Sequence, residues 1–409
     1  MSCMGLALNA SEVLQLRDYY KKILDPFTTV FSEIHAYLYV FLCVVGVFAN
    51  IAIVVVLLRP AMRRSPFNLF LICIAICDAT LMATYLLYKH VEVCHPWYFS
   101  HAWMIYTKFY AMFSVFVHSA SLWFTVNMAV MRYLVLYRGS HSHSRLPPCN
   151  NYLAASIAIA IGAVIALIGS LPNMLRYRIY LRGEVPVPKI CLTTKYHSSW
   201  SDSSTIYLYD LIQPTWYNCD WERINFWMAA CILKLIPCVL LTVFMTLLVR
   251  MLIEARERRS RLCGGVATGN SQAERTTAML TVIVAVFLVT ELPQGILGLA
   301  AGVNPRLRYI TNPLGNFFDL LSLINSAVNF VLCALMSHVF RREFLQTFSM
   351  CCPQSSENHS GAPITKPTKK SLFATLTPLR KTKGFLPVPT SEREDRSSDE
   401  RMQQITRQG

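Results

Sequence analysis

Read for polarity alone, the chain is a series of long apolar runs separated by short charged segments. The pattern predicts helical spans at about 35–59, 67–91, 104–137, 152–175, 223–253, 273–302 and 310–336, each holding the ~20 apolar residues that a bilayer-crossing helix needs. The third, fifth and sixth exceed that length and are expected to project beyond the bilayer. The expected fold class is therefore an all-α membrane protein, a seven-transmembrane helix bundle. Its expected divisions are an extracellular N-terminus over 1–34, a seven-helix domain over 35–350 and a tail over 351–409. The tail is rich in Ser, Thr, Pro, Lys and Arg without apolar periodicity, the composition of a disordered segment.

Shorter patterns add detail at each end. HVFRREFLQTF spaces Phe340, Phe344 and Phe348 by four, one apolar stripe opposite basic residues, which predicts a short amphipathic helix on the membrane surface. Cys351 and Cys352 follow as a palmitoylation pair, or as two reduced cytosolic thiols. YRIYLRGEVPVPKICLT predicts two short strands around a Gly- and Pro-containing turn, a β-hairpin in the second extracellular loop.

Composition supports the membrane reading: 54% of residues are hydrophobic and 15% charged, against about 25% charged in soluble domains. The polar sequence before the first run, with Arg17, Asp18, Lys21 and Lys22, lacks the order of a cleavable signal peptide. Arginines set the topology. Arg59, Arg63 and Arg64 lie in the first connection, Arg132, Arg138 and Arg145 at the third, Arg250 to Arg261 at the fifth, and Arg341 and Arg342 after the last span. Odd connections and the C-terminus are thus expected in the cytoplasm of a plasma-membrane protein, with the N-terminus and the sequon at Asn9 outside. The net charge of +15 is spread over the faces that meet inner-leaflet lipid and a cytoplasmic partner, with no soluble basic domain for nucleic acid. On the outer side Cys94, Cys191 and Cys219, with Cys3 as a further option, are candidates for a disulfide. Cys94–Cys191 is favoured because it would pin the hairpin, and pairing through Cys219 stays open.

Several positions then match one family. GVFAN with Asn50, LFLICIAICD with Asp78, MRY with Arg132 and Tyr133, Pro237, Phe287 with Pro293, and NSAVNF with Asn325, Ser326 and Asn329 occur in order, one or two per span. Over about 30–350 the chain resembles a rhodopsin-like G-protein-coupled receptor. MRYLVLYRG, NFW, KLIPC and TELPQGI resemble the myosuppressin-receptor-related branch of the invertebrate FMRFamide-type neuropeptide receptors. That resemblance implies an extracellular peptide ligand ending in Arg-Phe-amide and a heterotrimeric G protein of the Gi/Go type. By composition alone, Ser371, Thr375, Thr377, Thr382, Thr390, Ser391, Ser397 and Ser398 would on phosphorylation create anionic sites for an arrestin-like partner; the alternative is a Ser/Thr-rich tail without that regulation.

The resemblance also assigns roles. Asp78, Ser121, Asn325, Ser326 and Asn329 match a mid-bundle sodium pocket, whose oxygen donors suit a hard cation; the alternative is a hydrated polar network. No other cofactor is implied. Arg132 would meet the G protein, Leu122, Pro237 and Phe287 form a packing switch, and Pro293 supplies the kink on which the sixth span pivots. Met131 replaces the acid that usually precedes the arginine, Glu274 is one residue off the usual lock position, and Phe330 replaces a proline. Met245 and Cys333 stand where a tyrosine pair is usual.

Glu291 replaces the usual tryptophan of the pocket floor, and an acid at bilayer depth needs a partner or a function. Three readings apply: an ion pair with Lys234 beside His118, a receiver for the ligand's arginine, or a neutral acid bonded to backbone freed by Pro293. The favoured anchor for the ligand's arginine is Asp319, since a guanidinium grips a carboxylate with two bonds. The competing role for Asp319 is a helix-end contact with Lys89 or Lys108. Gln294, Tyr88, Tyr110 and Phe317 would wall the terminal Phe-amide, and Glu92 and Glu222 would steer a basic peptide from the rim, or stand there as simply solvated charges. Ser114 stands where aminergic receptors carry an acid and Leu323 where opsins carry a lysine. The long loop over about 176–222, with Trp200, Trp216 and Trp221, suits a peptide better than a lipid or odorant. No internal repeat supports a transporter. No metal-ligand spacing or phosphate loop supports an enzyme.

Overall fold

The computed structural model describes residues 10–349 apart from 92, 141–150, 202, 263–269, 312 and 337. The chain runs α1 (Ala10–Leu57), α2 (Pro66–His90), α3 (His101–Ser140), α4 (Asn151–Met174), β1 (Arg178–Pro186) and β2 (Thr205–Ile212). Then follow α5 (Cys219–Trp227), a π-helical stretch (Met228–Leu235), α6 (Ile236–Leu262), α7 (Asn270–Val303), the one-turn α8 (Arg308–Thr311), α9 (Gly315–Met336) and α10 (His338–Ser349). Six helical rods among the described residues are long and apolar enough to cross a bilayer, with α5, the π stretch and α6 acting as one. The 22-residue α9 is the seventh. Phe48, Val239 and Val289 project outward and exposed, an apolar surface that water would penalise and lipid accepts.

Local chemistry sets the helix ends. Pro66 opens α2, its fixed φ suited to a first turn and its missing N–H one that would have no partner there. Asn218 caps α5, its side-chain oxygen accepting from Asp220 N at 3.1 Å and Trp221 N at 3.2 Å. Asp220 and Glu222 in that first turn favour the positive end of the helix dipole. The π stretch ends just before Pro237, which cannot donate to the carbonyl of Leu233; the wider turn takes up the mismatch.

Two sequence expectations change. The first helix starts at Ala10 rather than near residue 35 and passes through Pro26. Its early turns are polar on average, so apolarity alone missed them. Leu16, Tyr20, Leu24, Thr28, Phe31, His35 and Tyr39 are nonetheless the shielded positions, at helical spacing. Phe27 and Phe31 stack at 5.4 Å and meet the edge of Phe317 at 5.9 and 5.6 Å. The hairpin also differs. β1 continues through the expected turn, taking Gly183 at φ 130° as a bulge, and pairs antiparallel with β2, Arg178 opposite Ile212 and Pro186 opposite Thr205. The expected second strand instead contains a short 3-10 turn, Lys189–Leu192. Pro186 and Pro188 leave it short of ladder donors, whereas TIYLYDLI offers β-branched and aromatic residues with every N–H intact.

Cys94 and Cys191 are disulfide-bonded, with Cα atoms 5.1 Å apart, and Cys219 is a free thiol. Val187 and Ile206 pack around the bridge, and Trp200 Nε1 donates to the Cys94 carbonyl at 2.8 Å. At the opposite end, α10 turns Phe340 into a cluster with Ile53 and Val56 of α1, and Phe344 against Phe330. Arg59 reaches Glu343 at 3.4 Å. Part of the predicted amphipathic stripe thus faces the bundle, with Phe348 left exposed.

The disulfide ties the turn between the loop strands to the segment that follows α2, across 97 residues. Cys191→Ser is expected to destabilise the folded bundle by about 2–5 kcal/mol, measured as a lower melting temperature of the detergent-solubilised protein and less of it at the cell surface.

Candidate functional site

In the half of the bundle nearest the hairpin, α2, α3, the π stretch, α7 and α9 enclose a cavity of about 350 Å³, the size of a small-molecule or side-chain pocket. Phe226, Leu233, Leu297 and Phe318 give it apolar walls. Lys234 and His118 lie at its floor, Asp319, Gln294 and Tyr110 on its sides.

Glu291 is fully buried and does not line this cavity. The side chain of Lys234 donates to Glu291 Oε2, and His118 Nε2 lies 3.2 Å from the same oxygen. A carboxylate only accepts, so His118 donates through Nε2. The arrangement is the ion pair foreseen in the sequence, with the histidine adjacent, and it joins α3, the π stretch and α7. Local structure explains how. Gly295, one turn from Glu291, lets the helices approach: a Cβ there would stand 3.1 Å from the Lys234 Cβ and 3.0 Å from Leu235 Cδ2. The π stretch supplies Lys234 to the same face of the rod, and such bulges are frequent at functional sites.

Asp319 is held from behind. The Tyr85 hydroxyl donates to Asp319 Oδ2 at 3.1 Å, and His35 Nε2 lies 3.1 Å from that hydroxyl. Since the tyrosine proton goes to the carboxylate, His35 is the donor to Tyr85. Lys89 turns instead to Asn316 Oδ1 at 2.9 Å. Tyr88 stacks on Tyr110 at 4.5 Å, behind the wall, and Phe317 faces Phe27 and Phe31 of α1. Neither Tyr88 nor Phe317 lines the cavity; Phe318 and Phe226 do. Sequence reasoning missed His35 and Tyr85, although a histidine within an apolar run is a signal in a spanning helix. Glu222 is buried rather than at a solvated rim, 3.5 Å from Arg176.

The other half of the bundle holds the remaining predicted residues. Asp78 accepts from Ser121 at 3.0 Å and from Asn329 at 2.7 Å, with Ser326 buried and Asn325 partly buried on the same turns of α9. Leu122 and Phe287 pack with Cys238, Leu241 and Met245 in one cluster beside buried Pro237, and Pro293 lies within α7. The Arg132 guanidinium stands 5.6 Å from the Phe67 ring. Met131 packs into the α2–α3–α4 core, and Tyr133 stacks on Tyr137 and meets Phe244 edge-on. Asn9, Glu92, Cys351, Cys352 and the side chains of Glu274 and Cys333 lie outside the described residues.

Seven helices around a polar-floored cavity, with a disulfide-pinned loop hairpin at the same end of the bundle, define a membrane receptor of the serpentine class. The chain belongs to the G-protein-coupled receptors: residues 37–351 match the family described as serpentine type 7TM GPCR chemoreceptor Srw. It is 33% identical over 369 residues to G-protein coupled receptor dmsr-1 of Caenorhabditis elegans, covering 79% of this chain and 70% of that one. It is 24% identical over 347 residues to the sex peptide receptor of Drosophila melanogaster, covering 77% and 72%. It is also 24% identical over 315 residues to the FMRFamide receptor of the same fly, covering 75% and 52%. Membership makes the chain a multi-pass membrane receptor rather than an enzyme or a transporter.

Removing one member of a buried pair leaves an uncompensated charge. Lys234→Met is expected to cost about 3–5 kcal/mol, and Lys234→Met with Glu291→Leu to recover most of it. Thermal unfolding of the three purified proteins measures both values, and equal loss in the single and double variants would contradict them.

Proposed function

We propose that this receptor recognises an amidated peptide ending in Arg-Phe-amide and activates a heterotrimeric G protein of the Gi/Go type. It would act at the plasma membrane with its N-terminus outside and its C-terminus in the cytoplasm. The observation that carries this reading is Asp319: a carboxylate on the cavity wall, fixed by the Tyr85 hydroxyl rather than by a lysine. Such a group is a ready partner for a guanidinium. The relatives add support, since one is an FMRFamide receptor and another a sex peptide receptor by name. The arginines at the end away from the hairpin match a cytoplasmic face. An uncharged lipid or odorant ligand would leave the Asp319 carboxylate without a partner cation.

The same reading gives secondary sites. Asp78 with the oxygens of Ser121 and Ser326 would hold an allosteric sodium ion. Asn9 would carry glycan, Cys351 and Cys352 palmitate, and the phosphorylated tail would take an arrestin-like partner.

A panel of Arg-Phe-amide peptides, applied to cells expressing the receptor with a G-protein activation readout, tests the proposal. Activation is expected in wild type, with Asp319→Asn weakened by about 30-fold or more, the usual penalty for losing one partner of a buried charge pair. Silence of a surface-expressed receptor to the whole panel would refute the ligand class.

A further inference from the structure

We propose that Glu291 selects the chemical state of the ligand's terminus, keeping the cavity floor for a neutral carbonyl and turning away a free carboxylate. This rests on the peptide reading above, and deepens it by assigning the discrimination between amide and acid to one residue that the ligand never touches.

Among the side chains lining the cavity, Lys234 is the formal cation and Asp319 the formal anion. Lys89 is not on the wall; it bonds Asn316 and lies over the rings of Tyr85 and Tyr88 at 5.6 and 5.9 Å. A ligand carboxylate entering the cavity would therefore seek Lys234. That ammonium is already committed. It donates to Glu291 Oε2, and Glu291 has no solvent exposure with which to dissipate its charge. The other carboxylate oxygen, Oε1, is buried without a hydrogen-bond partner among the described residues. Glu291 thus largely cancels the ammonium's charge, leaving Lys234 with little net attraction for a second anion. His118 does not restore that attraction: its Nε2 already serves Oε2, and its Nδ1 is buried without a partner, so a second ring proton would have no acceptor.

An ammonium has three donors, of which Glu291 takes one. A ligand carbonyl can accept another without bringing charge. A ligand carboxylate would instead share one ammonium with Glu291, placing two anions on a single cation where water cannot screen them. At the other end Asp319 calls for one cation. The cavity as a whole fits a ligand segment bearing one positive group and an uncharged terminus, which an arginine beside a terminal amide satisfies and the corresponding acid does not.

The test compares three forms of one activating Arg-Phe peptide, the amide, the methyl ester and the free acid, on wild-type receptor and on Glu291→Gln, with G-protein activation and surface expression measured together. In wild type the amide and the ester are expected to be active, and the acid weaker by on the order of 10- to 100-fold. In Glu291→Gln the Lys234 charge is no longer neutralised, and the acid is expected to gain at least about tenfold relative to the amide. An unchanged amide-to-acid ratio in Glu291→Gln overturns the inference while leaving the peptide reading intact. An ester as inactive as the acid also overturns it, because discrimination would then depend on the amide N–H donors; this arm needs no variant and can overturn the inference even if Glu291→Gln fails to reach the surface. Silence of wild type to all three forms removes the peptide reading and this inference together.

Discussion

An ionised carboxylate shut away from water in a helix bundle needs a cation brought to it, and much of this molecule's middle can be traced to that need. Glu291 has no solvent exposure. Three helices converge on it, and Gly295 is small enough to let α7 close upon the π stretch at the level of Lys234. The cost of leaving such a charge alone far exceeds that of a distorted helical turn. The irregular geometry before Pro237 is therefore consistent with the pairing rather than a defect in it.

The layer beneath repeats the same convergence with apolar atoms. His118 and Leu122 on α3, Lys234 and Cys238 on the fifth rod, and Glu291 and Phe287 on α7 are each four residues apart, so each pair shares a face one turn apart. A charged storey thus rests on the greasy cluster of Leu122, Cys238, Leu241 and Phe287. Farther on, Asp78 is satisfied by neutral donors from α3 and α9. Polar and apolar storeys alternate down the bundle, with each polar one bonded across helices, as a medium without water requires.

How much of this could be read from the sequence depended on the signal. Apolar runs placed the seven rods well, because bilayer thickness sets their length. They missed the outer turns of α1, where the helical signal was a sparse stripe of Leu16, Tyr20 and Leu24 among charges. Lys234 and His118 were legible as partners for Glu291, because charged or titratable groups in apolar runs are few and must find one another. Strand pairing was not: β2 lies beyond a segment of prolines and turns, and local periodicity carries no record of which distant strand supplies donors. Nor could spacing show that Phe317 would face α1 while Phe318 faces the cavity, since that choice of face depends on the break before Gly315. Tyr85 escaped because a hydroxyl in an apolar helix gives little sign of what it bonds to, whereas His35 carried the signal of any titratable ring in a spanning helix.

The π stretch has a consequence for how such a helix can change. A surplus residue accommodated in one turn uncouples the angular phase of the segments on either side of it. Residues 219–227 face the hairpin end, while those from Ile236 onward keep step with the cluster around Leu241 and Phe287. A single insertion or loss on the outer side can be absorbed within that turn. The outer half is therefore free to re-aim its side chains at a new visitor while the inner half keeps its grip on the machinery below.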